Sequence, residues 1–226
     1  MNARLVLADA QSARDALHFA GRASRIGSDG VRLQASTGTL VISSAGLSPR
    51  GLFDRTPTVI ALRVLRADPE LECDLVVETL SATDAPAALA LPASALAPPW
   101  AALALPRGGW MKRDELSSAT LAARSRWGIS AVAHALPDNP GEDVVRAVRG
   151  KVWGEPEDEF GGLPRGVSFV ASAFGFLGDE PETAIVTVSG RWTRLTLERG
   201  HVLSLGPVAS GLTEVRRTGA RPRSAE

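Results

Sequence analysis

Residues 85–106 read APAALALPASALAPPWAALALP, and this uncharged, proline-rich stretch decides how the rest of the 226-residue chain is organised. It is long enough to cross a bilayer, but its five prolines would interrupt the backbone hydrogen bonding that lipid demands. We therefore interpret residues 85–110 as an Ala/Pro-rich connection between two halves of the chain, and we expect no membrane segment.

The first half, residues 1–84, is predicted to form a strand, a helix and then several strands. Residues 4–8 are a short apolar run, Asp9 offers a helix start, and an apolar pattern of helical period continues to Ile26. Glycines at positions 27 and 30 end that helix. Strands are then predicted at 31–35 and 39–43, on either side of a Ser-Thr-Gly hairpin connection, at 58–66 as a β-rich run, and at 71–78 from alternating apolar residues.

The second half, residues 111–209, is predicted to contain helices followed by antiparallel strands. Helical spacing covers 114–135 and 142–153, and strand patterns cover 183–188, 192–197 and 201–205. A two-residue turn at Arg199-Gly200 would place Glu198 opposite His201. Residues 210–226 show no apolar periodicity and are expected to be a frayed basic tail.

Strands and helices come in runs rather than in strict strand-helix-strand alternation. This pattern predicts an α+β fold in which two sheet-plus-helix halves pack as one compact unit. The alternative is a pair of mobile domains joined by the proline-rich connection.

Charge is distributed unevenly although the 25 basic and 25 acidic side chains cancel. Residues 1–66 carry nine basic and four acidic side chains, whereas 67–110 carry one and six. On the first helix the basic residues fall within an arc of about 80°, opposite the apolar side. This basic stripe consists of Arg14, His18, Arg22 and Arg25.

No motif for catalysis, metal binding or a cofactor is found. Neither lysine follows a phosphate-binding glycine loop, and no two of the three histidines have the spacing of a helical metal pair. Cys73, the single cysteine, lies between two carboxylates that raise a thiol pKa, so we interpret it as a core residue. The acidic residues 155–159 are interpreted as a solvated connection. A chain with one cysteine fits the cytoplasm, and no metal or cofactor is expected.

The tryptophans offer candidate contact residues. Trp192 is expected to share a strand face with Arg194, and this pair joins the basic stripe as a candidate partner-binding set. Trp100, Trp110 and Trp127 surround the connection and are expected to hold it on the core, or alternatively to form a partner-binding edge.

Several strings resemble those of a family of uncharacterised proteins common in actinobacteria. They are Pro49-Arg50-Gly51-Leu52-Phe53-Asp54, Pro106-Arg107-Gly108-Gly109-Trp110, Val152-Trp153-Gly154, Trp192-Thr193-Arg194-Leu195 and Arg199-Gly200-His201-Val202-Leu203. The resemblance implies a bacterial cytoplasmic protein and no particular activity.

A second resemblance lies in the order of elements within residues 3–78. A strand, a basic-faced helix, a hairpin and further strands resemble the half-domain unit of DNA sliding clamps, in which such helices line a ring around duplex DNA. This resemblance implies nucleic acid as an alternative ligand of the basic stripe.

These observations predict a non-catalytic adaptor or scaffold that binds a protein partner, whose identity the sequence does not indicate. One alternative is a clamp-like protein that binds nucleic acid through the first helix. The other is an enzyme with an arginine and carboxylate site, which a pocket lined by Arg50, Asp54 and Arg55 would indicate.

Overall fold

The structure is a computed structural model that describes residues 4–51 and 53–206. The first half contains β1 (Arg4–Val6), α1 (Ala10–Arg25), β2 (Val31–Ser36), β3 (Thr39–Leu47), β4 (Val59–Arg66), β5 (Cys73–Val77) and β6 (Ser81–Ala82), and the connection contains β7 (Ala88–Ala90). The second half contains β8 (Met111–Ser117), α2 (Ser118–Ala135), α3 (Glu142–Gly154), β9 (Pro156–Glu157), β10 (Leu163–Pro164), α4 (Gly166–Ala173), β11 (Thr183–Ser189), β12 (Trp192–Leu197) and β13 (Gly200–Leu205).

One antiparallel sheet of eight strands runs through both halves, in the order β5-β2-β3-β4-β13-β12-β11-β8. The halves join where β4 pairs with β13, from His201 opposite Leu62 to Ser204 opposite Val59. α4 of the second half also packs on β3 and β4 of the first. The predicted α+β class, with two sheet-plus-helix halves packed as one compact unit, is confirmed.

The two faces of the sheet bury different residues. On the helix face, α1 and α4 cover the main core, which includes Leu33, Ile42 and Leu195. On the opposite, outer face, residues of the proline-rich connection cover a smaller cluster that includes Ile60, Trp100 and Trp192. The connection is therefore part of the fold, and its β7 also pairs with β1.

Two sequence predictions for the second half are wrong. The helix expected from residue 114 begins at Ser118, because residues 111–117 pair with β11 as an edge strand and the Ser117 hydroxyl caps the helix. The second half therefore starts with a strand, not with helices. The turn expected at Arg199-Gly200 lies one residue earlier, because Gly200 pairs with Leu197 inside the ladder.

The predicted tail at 210–226 lies outside the described residues. Within the described ranges, no helix has the length and apolar character needed to cross a membrane.

Candidate binding surface on the helix face

Helix α1 turns its alanines to the core and its basic stripe outward. Its first turn is capped by Asp9, whose Oδ1 accepts a hydrogen bond from the Ser12 N–H at 2.7 Å. This hydrogen bond lowers the pKa of the Asp9 carboxyl. Arg14 and His18 are exposed, as the stripe predicts, and the Arg14 guanidinium donates to the Gln11 amide oxygen at 2.8 Å.

Phe19 fixes α1 against the second half of the chain. Its ring lies 4.8 Å from that of Phe174 and 6.5 Å from that of Phe176, between ring centres. One helical turn later, the guanidinium of Arg22 lies against Gly175 and fills the space that a side chain there would need. Gly175 also has a positive φ of 70°, which favours glycine.

Four arginines lie near enough on this face for their charges to act on one another, and we call them the helix-face cluster: Arg22 and Arg25 from α1, Arg63 from β4, and Arg199 from the turn between β12 and β13. Burial, followed by the positive charges of the other three, lowers the pKa of the Arg22 guanidinium. Both halves contribute, so the cluster depends on their packing.

The cluster keeps most of its positive charge. Arg63 is paired with Asp15 at 2.8 Å. Among the residues that the structure describes, Arg22, Arg25 and Arg199 form no ion pair with a carboxylate. Like charges held together raise the free energy of the free protein, and an anionic partner would lower it.

The remaining two predicted contact residues lie on the other side of the sheet. Trp192 and Arg194 do share a strand face, but it is the outer face, so the structure does not bring them together with the basic stripe. Trp192 is not available as the contact residue that the sequence suggested: only 7% of the residue is accessible, because the proline-rich connection covers it. Arg194 is half-buried, with its guanidinium carbon 4.3 Å from the centre of the Trp110 ring.

Of the tryptophans near the connection, Trp100 is buried as expected and Trp110 packs at the edge of the same cluster. Trp127 instead lies on α2 and is 45% exposed, with the guanidinium carbons of Arg124 and Arg165 at 5.1 and 5.0 Å from the centre of its ring.

The pocket that would indicate an arginine and carboxylate enzyme is formed only in part. A cavity of about 420 Å³ between the loops after α1 and β3 and helix α3 is lined by Arg50, but not by Asp54 or Arg55. Asp54 instead accepts hydrogen bonds from the N–H groups of Arg50 and Thr56, at 3.0 and 2.9 Å, and so stabilises its own loop.

The histidines lie apart from one another. His201 bonds through Nδ1 to the Thr196 hydroxyl at 3.1 Å, so the expected pairing with Glu198 is wrong and follows from the misplaced turn. Its pKa is lowered by burial and by the charge of Arg194. In the described ranges, no three His, Cys, Asp or Glu side chains are grouped so that they could hold a metal ion.

The structure also shows charged contacts that sequence reasoning missed. The position of Arg63 on the helix face could have been predicted from the sequence. Arg63 alternates in β4 with Val59, Ala61 and Leu65, which face the main core, so its side chain must lie on the same side of the sheet. The acidic segment 155–159 is not simply solvated: Glu157 is buried and pairs with Arg124 at 2.9 Å and with Arg165 at 3.1 Å. Nothing in the local sequence indicates which arginines would meet it.

Two family models match the chain, one in each half. Residues 1–102 match a domain of unknown function, DUF8010, and residues 105–209 match a second domain of unknown function, DUF8185. No curated protein matches.

Solved structures of DNA sliding clamps match over both halves. The DNA polymerase III beta of Caulobacter crescentus is 14% identical, with a TM-score of 0.45 over 98% of this chain and 70% of the other. The DnaN sliding clamp of Bartonella birtlesii is 13% identical, with a TM-score of 0.44 over 89% of this chain and 64% of the other. Each half of the chain thus matches the model of a different domain of unknown function.

Proposed function

We propose that this protein is a non-catalytic adaptor or scaffold that binds an acidic protein surface through the helix-face cluster. The observation that carries the proposal is the meeting of Arg22, Arg25 and Arg199 without a carboxylate partner among the described residues. A cluster built from both halves presents a fixed arrangement of positive charge, which favours a partner of complementary charge.

The surroundings of the cluster favour protein over nucleic acid. Glu198 precedes Arg199 in the turn, and its N–H donates to the carboxylate of Glu182 at 2.8 Å, so two negative charges border the positive ones. Duplex DNA carries one negative charge about every 1.7 Å along its axis and would meet these carboxylates. A discrete acidic patch on a protein can avoid them.

The proposal includes a cytoplasmic location in an actinobacterium, as the quoted strings and the single Cys73 indicate. It also includes the division into residues 1–84 and 111–209 around the connection. The alternative of an enzyme with an arginine and carboxylate site remains untested. Turnover of a substrate by the purified protein in an unbiased screen would favour it.

The test reverses two exposed charges of the cluster, Arg25→Glu and Arg199→Glu, and leaves Arg22 in its packed position. The matched control reverses Arg113 and Arg126, which are exposed on β8 and α2, so that both variants have the same net charge. Each protein is used as bait in a lysate of the organism that encodes it, and captured proteins are quantified by mass spectrometry. Fluorescence anisotropy with an acidic 20-residue peptide and with a 20-base-pair duplex is measured in parallel at about 150 mM salt.

We expect the control to retain the captured proteins and the acidic peptide, and the cluster variant to lose both by tenfold or more. Equal capture by the cluster variant and the wild type would contradict the proposed surface. Duplex binding that exceeds peptide binding, and that is lost in the cluster variant, would establish the nucleic-acid alternative instead.

A further inference from the structure

The outer face of the sheet carries a second candidate site, independent of the helix-face cluster. A groove of about 790 Å³ lies between this face and residues 104–110 of the connection, which is large enough for a small-molecule ligand. Its lining includes Gln34, Val64, Arg107, Trp110, Arg194 and His201.

The carboxylates in this groove are already engaged. Both oxygens of Asp74 accept hydrogen bonds from Arg32, at 2.8 and 2.9 Å, and one of them also accepts from the Gln34 amide at 3.1 Å. The Glu72 carboxylate accepts from the backbone N–H of Thr37. Asp74 is thus paired mainly with Arg32, whereas Glu72 keeps its negative charge, because a neutral N–H group does not cancel it.

The remaining cations of the groove are not engaged in this way. Over the described part of the chain, Arg107 and Arg194 form no ion pair with a carboxylate. The lining carries three arginines, Arg32, Arg107 and Arg194, against the two carboxylates of Glu72 and Asp74, so the groove has a net positive charge that favours an anionic ligand.

The contact with Trp110 fixes the guanidinium of Arg194 in the groove. Its guanidinium stacks on Trp110, while its Nε–H is buried and lacks a hydrogen-bond partner among the described residues. Protein atoms cover this Nε–H, so a ligand in the groove would instead meet the terminal amino groups of the guanidinium, which donate no hydrogen bond within the described residues. Burial also lowers the pKa of this guanidinium.

The neighbouring surface indicates what else the ligand carries. Val64 is 51% exposed at the groove, beside Val41 and Leu62. His201 uses Nδ1 for the Thr196 hydroxyl, so its Nε2 is left for another contact. An acidic group beside an apolar body would therefore match both parts of the lining.

We propose that this groove binds an amphipathic carboxylate, with the carboxylate on Arg194 and the apolar part along the valines of the sheet. Two sources share this chemistry: a small organic acid and the free carboxyl end of a peptide. Either would be oriented by a guanidinium that Trp110 already holds in place, which reduces the entropy lost on binding.

The experiment is calorimetric titration of the full chain with 2-naphthoate and with its neutral analogue 2-naphthamide. An acetylated tripeptide ending in leucine, with either a free carboxylate or a C-terminal amide, forms the second arm. The variant is Arg194→Met, and the matched control is Arg113→Met, which removes an exposed arginine from β8. Circular dichroism verifies that each variant is folded.

We expect each acid to bind at least tenfold more tightly than its amide, Arg194→Met to weaken the acids by tenfold or more, and Arg113→Met to change affinity by less than twofold. Tighter binding of naphthoate than of the peptide acid identifies a small acid as the source, and the reverse identifies a peptide end. Equal binding of acids and amides, no binding of either acid at about 1 mM, or an unchanged affinity in Arg194→Met would overturn the proposal. If Arg194→Met does not fold, the acid and amide contrast on the wild type and the variant Arg107→Met decide it.

Discussion

The close approach of β3 and α4 predicts that Gly46→Ala destabilises the protein. A methyl group built at Gly46 overlaps with Cγ2 of Val170, and the Cβ of Val170 lies 3.5 Å from the same point. A valine in a helix has one strongly preferred rotamer, so it cannot turn aside at low cost. The helix must therefore move away from the sheet, or the strand must bend.

Overpacking of this kind costs about 1–3 kcal/mol, and the loss of unfolded-state entropy on replacing glycine offsets about 0.4–1 kcal/mol of it. We expect a net loss of about 1–2 kcal/mol in the free energy of unfolding, which for a chain of this length lowers Tm by roughly 2–8 °C. The matched control is Gly21→Ala in α1, where the added methyl group has no atom within 4 Å. That substitution should stabilise the protein by about 0.4–1 kcal/mol.

The measurement is urea unfolding, followed by both tryptophan fluorescence and far-ultraviolet circular dichroism. Because β3 and α4 belong to different halves, we expect one transition that both signals report at the same urea concentration. If Gly46→Ala were as stable as the wild type, the close approach of the two elements would be refuted. Two separate transitions would refute the single cooperative unit.

Three further predictions concern individual side chains. Glu157→Gln should lower the free energy of unfolding by about 1–2 kcal/mol, because two partly buried arginines lose their shared negative charge, whereas the exposed Glu155→Gln should have little effect in the same urea experiment. The pKa of His201 is held below its ordinary 6.5, so the unfolded state takes up this proton first as the pH falls; the free energy of unfolding should decline below about pH 6.5, and less steeply in His201→Asn. The pKa of Cys73 is raised by burial and by the neighbouring carboxylates, so iodoacetamide should modify it about tenfold more slowly than free cysteine at neutral pH, with mass spectrometry as the measure; equal rates would be inconsistent with this environment.

Local periodicity was sufficient to predict the elements that have one clear apolar face. The alanines of α1 are buried and most of its stripe is exposed, and the alternation along β12 placed Trp192 and Arg194 on one face and Leu195 on the other. These assignments depend only on neighbours in sequence, which is why they could be made without the structure.

The missed features depend on contacts between distant residues. Residues 111–117 are exposed except for Leu116, so strand β8 lacks the alternation by which strands are recognised. Trp192 is buried because the connection crosses it, and Arg199 joins Arg22 only through the packing of two halves. Such contacts are set by tertiary structure and leave no periodic signal in the sequence.

The ladder between β4 and β13 has a consequence for synthesis on the ribosome. His201 pairs with Leu62, so one edge of β4 has no hydrogen-bonding partner until β13 is synthesised, almost 140 residues later. At synthesis rates of about 5–20 residues per second, this interval lasts roughly 7–28 seconds. During that time β4 presents an unpaired edge in a nascent first half, and the valines and isoleucine of that strand are open to other chains. The growing polypeptide is therefore most exposed to misassociation just before its last sheet strand emerges, and chaperones that hold nascent chains would act in this interval.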